Sequence, residues 1–345
     1  MTQLMKAIAQ TEKGPSSVLK VVEVPKPNAT GHDLVVKIKA VSVNPVDIKV
    51  RNAPEALGVT DETIILGWDA TGTVEAVGEK VTRFKIGDEV FFAGSIARPG
   101  TNAEYTLVDE RITGHKPKSL SWEDAAALPL TSLTAWEVMV ERMHIPVATS
   151  AQKNPKSILI IAGAGGVGSI AISIASKVLN LSTIVATASR PETIDYCKSR
   201  GATHVINHRE PLGPQLEKAG IAVDYVFICY DGLHYVEQAF DLVKPFGHVV
   251  SIVPLSDAIS LAKWAMKSVS FSWEVMYTKS LFGVDVETQA QILDEISRRV
   301  DKGEIQTTAT QRFRFDLENL KKVHEFVEAG KAIGKVVLKV EDTNW

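Results

Sequence analysis

The stretch Ser157-Ile-Leu-Ile-Ile-Ala-Gly-Ala-Gly-Gly-Val-Gly168 sets Gly163, Gly165 and Gly168 between a short apolar strand and an apolar helix. That spacing is the glycine fingerprint of a dinucleotide-binding turn. Gly163 permits the tight turn, Gly165 leaves no Cβ in the way of a pyrophosphate, and Gly168 lets the helix pack closely on the strand. Gly166 and Val167 complete the turn, and the helix N-terminus faces the phosphates. An ordinary glycine-rich βα loop could carry the same three residues, so the surroundings decide.

A second strand, Thr183 to Ala188, ends roughly 20 residues beyond the glycines, where the fingerprint places the residue that selects the cofactor. An acidic side chain there would accept hydrogen bonds from the adenosine ribose and repel a phosphate. The chain has Ser189 and Arg190 instead, which predicts NADPH as the cofactor, with Arg190 on its 2′-phosphate. The competing reading is a solvated arginine at a helix start, before Pro191 at the first helical position.

A chain of 345 residues suggests about two domains, each able to bury its own core. With 38 basic and 41 acidic residues the net charge is -3, which gives no global attraction to nucleic acid or to an anionic membrane. The two cysteines, Cys197 and Cys229, form neither a disulfide framework nor a metal-ligand spacing, as expected of a reducing compartment. Neither terminus reads as a targeting or lipidation signal, so a cytoplasmic protein is the expectation. The uncharged run Ser157 to Ser176 is long enough to span a bilayer, but its glycines divide it into a buried strand and a crossover helix.

Period-two strands are expected at Leu19 to Val24, Leu34 to Val43, Thr71 to Ala76, Asp88 to Phe92 and Ala103 to Val108. They describe a mostly β domain. From about Ser119 the pattern turns helical, with Ser121 as a cap. The chain then alternates as a doubly wound α/β sheet: strand 157 to 163, strand 183 to 188, helix 191 to 200, then strands 204 to 207, 223 to 229 and 248 to 253. Residues 268 to 275 alternate cleanly and read as a last strand at the sheet edge, through which a homodimer could pair. The tail, with helices at Glu287 to Lys302 and Asp316 to Ala329 and strands near Arg312 to Phe315 and Lys335 to Val340, is expected to fold back on the first domain.

Further motifs are Ser42-Val43-Asn44-Pro45-Val46-Asp47, Leu66-Gly67-Trp68-Asp69, Gly72-Thr73-Val74-Glu75-Ala76-Val77-Gly78, Gly87-Asp88-Glu89-Val90, the run Ala125 to Ala135, and Gly334-Lys-Val-Val-Leu338. On these the chain resembles the medium-chain dehydrogenase/reductases over nearly its whole length. Within them it is similar to the quinone oxidoreductase branch, and Thr187 to Thr193 and Gly201 to Asn207 bring it nearest to the zinc-type alcohol dehydrogenase-like proteins. The resemblance implies a GroES-like, mostly β catalytic domain over 1-128, completed by 282-345. It also implies a Rossmann NADPH-binding domain over 129-281, with the active site in the cleft between the two.

The zinc enzymes of this superfamily supply a cysteine from the first of these loops, Gly-His-Glu in the second and another cysteine at the start of the nucleotide domain. Here those places hold Asn44-Pro45, Gly67-Trp68-Asp69 and no cysteine. One carboxylate cannot hold a zinc that wants three protein ligands, so no metal is expected. A quinone or an α,β-unsaturated carbonyl accepts hydride without a metal, because the charge it develops is delocalised and a few hydrogen-bond donors suffice. The expected activity is therefore a zinc-independent, NADPH-dependent reduction of such a small molecule. The alternatives are a zinc-dependent alcohol dehydrogenase and a noncatalytic NADPH-binding sensor or scaffold.

The resemblance makes Asn44 and Thr131 the candidate catalytic groups, although Asn44 also reads as a turn residue before Pro45 and Thr131 as a helix cap. Asp47 and Trp68 are assigned to the substrate pocket, with loop orientation and core packing as their respective alternatives. His208 and Lys335 join the glycines, Ser189 and Arg190 as cofactor contacts, and each reads equally as a surface residue. His115 and His144 show no carboxylate partner in sequence.

Overall fold

A computed structural model describes residues 3–341; the extreme termini read above for targeting signals lie outside them. The chain divides into two compact units, one reaching from the N-terminal segment to Leu133 and resuming at Tyr277, the other Thr134–Met276.

The second unit carries a six-stranded sheet in which every neighbouring pair is parallel. Its order is His204–Ile206, Leu181–Thr187, Asn154–Ile161, Val223–Ile228, Val243–Ser251, Ser270–Trp273. The chain leaves the central strand Asn154–Ile161 through the helix Gly166–Lys177 to one side and later returns on its other side at Val223–Ile228. This is the reversal at which α/β sheets bind ligands. Ile158, Leu159 and Ile160 are completely buried, so both faces of the strand are covered. Leu159 and Ile161 join Val226, Ile228, Tyr235, Phe240 and Trp264 in a single core. The expected helix is Pro191–Arg200, closed by Gly201 in the left-handed region at φ 110°.

The last long strand starts earlier than its sequence suggests, at Val243 rather than 248. Pro245, Phe246 at φ 64° and Gly247 interrupt alternation, and the sheet absorbs them as a register shift between Val223 and Tyr225 on the neighbouring strand. Ser270–Trp273 pairs on one side only and forms the sheet edge.

The first unit is built on a seven-stranded sheet, with Asp33–Ser42 flanked by Ala70–Val77, Lys335–Lys339 and Tyr105–Asp109. A strand not anticipated from sequence, Leu4–Gln10, pairs antiparallel with Lys20–Pro25 and Ile64–Ile65. Two of its side chains are alanines, and Met5, Ala7 and Ala9 bury against Ile65 and Ala103 in a separate core. The helices Glu287–Asp301 and Leu317–Glu328 and the strands Ala309–Arg314 and Lys335–Lys339 all belong to this unit. Ser121 caps the helix Trp122–Ala126, its hydroxyl accepting the Asp124 N–H at 3.1 Å. Among the described residues no helix is long and apolar enough to cross a membrane.

Candidate active site

The glycine turn follows directly from strand Asn154–Ile161. Ala162 lies in the left-handed region at φ 61°, a conformation that costs an alanine energy, and its N–H donates to Thr187 Oγ1 at 2.9 Å. The Gly163 N–H donates to the Thr187 carbonyl and the Gly165 N–H to the Ala162 carbonyl, which closes the turn.

The three glycines differ in what requires them. A Cβ on Gly163 would stand 2.7 Å from Ala186 Cβ and 3.1 Å from the sulfur of buried Cys197. On Gly168 it would stand 2.3 Å from the Ala162 carbonyl oxygen. Both positions are closed by the protein itself. A Cβ on Gly165 would meet only the Ala162 oxygen, at 3.3 Å, with a backbone φ of -74° that any residue adopts. That contact is tight but far milder than those at Gly163 and Gly168, and the rest of the position is open to an external group. Gly165 is also the N-cap of helix Gly166–Lys177 and supplies no side-chain cap, leaving the first-turn N–H groups of Gly166, Val167 and Gly168 for an anion. A pyrophosphate fits this cradle.

At the end of the neighbouring strand, Ser189 is half-buried and Arg190 is the N-cap of helix Pro191–Arg200, its Nε 2.9 Å from Glu192 Oε1. The His208 imidazole is held below its ordinary pKa by desolvation and then by the charges of Arg209 and Arg190. Arg190, His208 and Arg209 therefore lie close enough to influence one another at the end of this strand.

The first unit assembles a buried polar cluster from distant segments. Asn44 is the N-cap of helix Pro45–Asn52, but its side chain does not cap. Asp47 takes that work: its Oδ2 accepts the Asn44 backbone N–H at 2.6 Å. The Asn44 carboxamide is thereby free to reach inward, where Oδ1 accepts from Lys335 Nζ at 2.6 Å and Nδ2 donates to Asp69 Oδ2 at 3.2 Å. Lys335 Nζ also donates to the Val43 carbonyl at 2.9 Å and lies 3.3 Å from Asp69 Oδ2. The other Asp69 oxygen accepts the Leu130 N–H at 3.1 Å.

Burial pushes Asp69 up and Lys335 down, and their mutual attraction opposes both shifts. Burial also raises Asp47 to about 7. Its Oδ1 has no hydrogen-bond partner among the described residues, and neither has the Tyr277 hydroxyl. Burial and then the Asp47 and Asp69 charges keep that hydroxyl protonated. Nothing in the sequence flagged Tyr277, which is the first residue of the chain's return to this unit.

Thr131 sits inside helix Pro129–Trp136 rather than capping it, and its hydroxyl back-bonds to the Ala127 and Leu128 carbonyls at 3.4 and 3.3 Å. Trp68 is buried and donates its indole N–H to the Ser95 carbonyl at 3.1 Å. Lys335 is buried beside Asn44, not exposed as its alternative reading had it. His115, for which sequence offered no partner, pairs with Asp294 at 3.0 Å on the surface of the same unit.

Comparison with known proteins gives the geometry a family. A zinc-type alcohol dehydrogenase-like protein of Staphylococcus aureus is 40% identical over 326 residues, 94% of this chain and 96% of the relative. The chain belongs to the medium-chain dehydrogenase/reductases. This reductase family member also matches the family models described as alcohol dehydrogenase GroES-like domain, over residues 30–118, and zinc-binding dehydrogenase, over residues 200–338. A 2-methylene-furan-3-one reductase of Solanum lycopersicum is 30% identical, covering 97% of this chain and 79% of the relative. Among solved structures, a proposed zinc-dependent alcohol dehydrogenase of Rhizobium etli is 45% identical, with a TM-score of 0.91 over 98% of this chain and 99% of that one.

The zinc in these names does not fit the donors present. In this dehydrogenase/reductase the Trp68 indole is committed to Ser95, the Asn44 carboxamide to Lys335, and Asp69 is ion-paired. Among the described residues no three His, Cys, Asp or Glu side chains converge on a point that could hold a metal ion.

Proposed function

We propose that this oxidoreductase transfers hydride from NADPH to quinones or α,β-unsaturated carbonyls without a metal. The observation that carries the reading is the donor set: a lysine-bound carboxamide and a committed indole, at positions to which the resemblance would assign zinc ligands. Bound at the glycine turn, NADPH would supply the hydride. The residues that would hold it are Gly163, Gly165, Gly166, Val167 and Gly168 at the pyrophosphate, and Ser189, Arg190 and His208 at the adenosine end. Lys335 serves the reaction through Asn44.

In zinc dehydrogenases the metal acts as the Lewis acid that stabilises the alkoxide of a simple alcohol, and the donors of this cluster do not fit that metal. Hydride addition to an enone instead develops an enolate and addition to a quinone a hydroquinone anion, both stabilised by hydrogen-bond donors. One well-placed donor of this kind is worth about 10²–10³ in kcat. The name of the tomato relative, a reductase of a conjugated methylene ketone, agrees with this substrate class.

The test is NADPH oxidation with a panel of quinones and 2-alkenones, in the wild type and in Arg190→Ala. Turnover is expected with both classes, and the variant should raise the KM for NADPH at least tenfold, about 1.4 kcal/mol, while leaving that for NADH unchanged. Equal changes for both cofactors overturn the phosphate role; binding without turnover points to a sensor, and zinc-stimulated alcohol oxidation to the metal enzyme.

We also read the chain as a cytoplasmic homodimer that pairs through Ser270–Trp273, whose outer edge is unpaired and whose Trp273 is exposed. Sedimentation at micromolar concentration should give twice the 37.5 kDa chain mass. A monomer, or a dimer that survives Trp273→Pro, whose N–H lies on the outer edge, would rule the pairing out.

A further inference from the structure

Lys335 and Asp69 differ in a way that decides the chemistry of the residue between them. An ammonium can only donate hydrogen bonds, and a carboxylate can only accept them. Lys335 Nζ has three acceptors around it: the Val43 carbonyl at 2.9 Å, Asn44 Oδ1 at 2.6 Å and Asp69 Oδ2 at 3.3 Å. They account for its three protons. The Asn44 carboxamide therefore has to turn its oxygen to Lys335 and its nitrogen to Asp69, since the flipped amide would set N–H against an ammonium and oxygen against a carboxylate. Both contacts would become repulsive inside a site that excludes water.

We propose that Lys335 and Asp69 are positioning residues that lock the flip of Asn44, so that its carboxamide meets an acceptor carbonyl only as an N–H donor. This rests on the reductase reading given above. The Asn44 backbone is fixed as well, by the Asp47 carboxylate on its N–H at 2.6 Å and by its own carbonyl accepting the Asp47 N–H at 3.0 Å. One of the two Nδ2 protons goes to Asp69 at 3.2 Å. The other has only a long contact, 3.4 Å to the Ser42 carbonyl, which a closer and more basic oxygen displaces at little cost. An enolate or hydroquinone oxygen has the lone pairs to take it. A ligand that presents N–H at the same point finds no acceptor, so the clamp selects for oxygen. Lys335, whose charge never touches the substrate, acts through the geometry it imposes.

A double-mutant cycle tests this with Asn44→Ala, Lys335→Gln and the pair, measuring kcat and KM for a 2-alkenone with NADPH. Asn44→Ala should lower kcat about 10²-fold, as for loss of one oxyanion donor. Lys335→Gln should lower it tenfold or more with KM unchanged, and should cost nothing further in the Asn44→Ala background. Equal losses from Lys335→Gln in both backgrounds, or an unaffected Asn44→Ala, overturn the proposal.

A second measurement needs neither turnover nor a folded Lys335 variant. In wild-type protein labelled with ¹⁵N-asparagine and ¹³C-aspartate, the side-chain amide nitrogen that disappears in Asn44→Ala should show a scalar coupling, across its hydrogen bond, to the Asp69 carboxyl carbon. An amide without that coupling and exchanging with solvent as fast as an exposed asparagine overturns the clamp. Failure of the wild type to reduce any acceptor would instead overturn the reading of function, leaving the amide measurement to decide the clamp by itself.

Discussion

The glycine turn after Ile161 and the cluster around Lys335 prepare for ligands by opposite means. The turn is made by subtraction: Gly165 is far less crowded than Gly163 or Gly168, and the helix start it precedes has no side-chain cap. The cluster is made by saturation, with Asn44, Asp69 and Lys335 spending almost every polar atom on one another. Unsatisfied N–H groups suit a charged molecule that arrives and leaves, because water can replace it. Side chains buried beyond the reach of water have to satisfy each other at all times. The contrast predicts which substitutions unfold the protein and which affect only its ligands.

The largest effect is expected in the saturated region. Asp47 is raised from 3.8 to about 7, so between these values the folded state holds a proton that the unfolded chain has released. Its contribution to stability is complete below about pH 4 and is lost as the pH rises through 7. Asp47→Asn keeps an acceptor for the Asn44 N–H but cannot ionise. Urea unfolding at pH 5 and at pH 8 should show the variant gaining on the wild type at the higher pH by about 2.7 kcal/mol, because only the two units of the shift between pH 5 and 7 lie between the measurements. Parallel pH profiles would mean that Asp47 ionises freely despite its burial.

The next effects divide the turn against itself. Gly168→Ala forces a methyl to within 2.3 Å of the Ala162 carbonyl and should cost about 1–3 kcal/mol of stability, read as a fall in the urea midpoint. Gly165→Ala should leave that midpoint within about 0.5 kcal/mol and weaken NADPH at least tenfold in a calorimetric titration. If the two variants behaved alike, the distinction between glycines kept for packing and a glycine kept for a ligand would fail.

The same contrast explains how far the sequence could be read. The turn is contiguous, its function is written in glycine spacing, and strand, turn and helix follow within a dozen residues. Helix Pro191–Arg200, with Pro191 in front and Gly201 behind, was equally local. The cluster draws on Val43 to Asp47, Asp69, Leu130, Tyr277 and Lys335, brought together only by the sheet in which Lys335–Lys339 pairs with Asp33–Ser42. The motif residues Asn44, Asp47, Trp68 and Lys335 could be named from the resemblance, but their partners could not. Lys335 read as a cofactor contact or a surface lysine because one residue at a strand start carries no sign of its neighbours. The strand Leu4–Gln10 escaped notice because alanine is a weak strand former, and its pairing partners and the core it shares with Ile65 and Ala103 lie far off in sequence.

The close seat of Cys197 beneath Gly163 has a practical side. Its thiol is pushed up to about 12 by burial, and burial drives Cys229 up as well, so neither forms an appreciable thiolate at neutral pH. A cysteine introduced on the surface would then outcompete both for maleimides or spin labels. Cys197 is buried, so part-exposed Cys229 is the one thiol to replace for a background-free host.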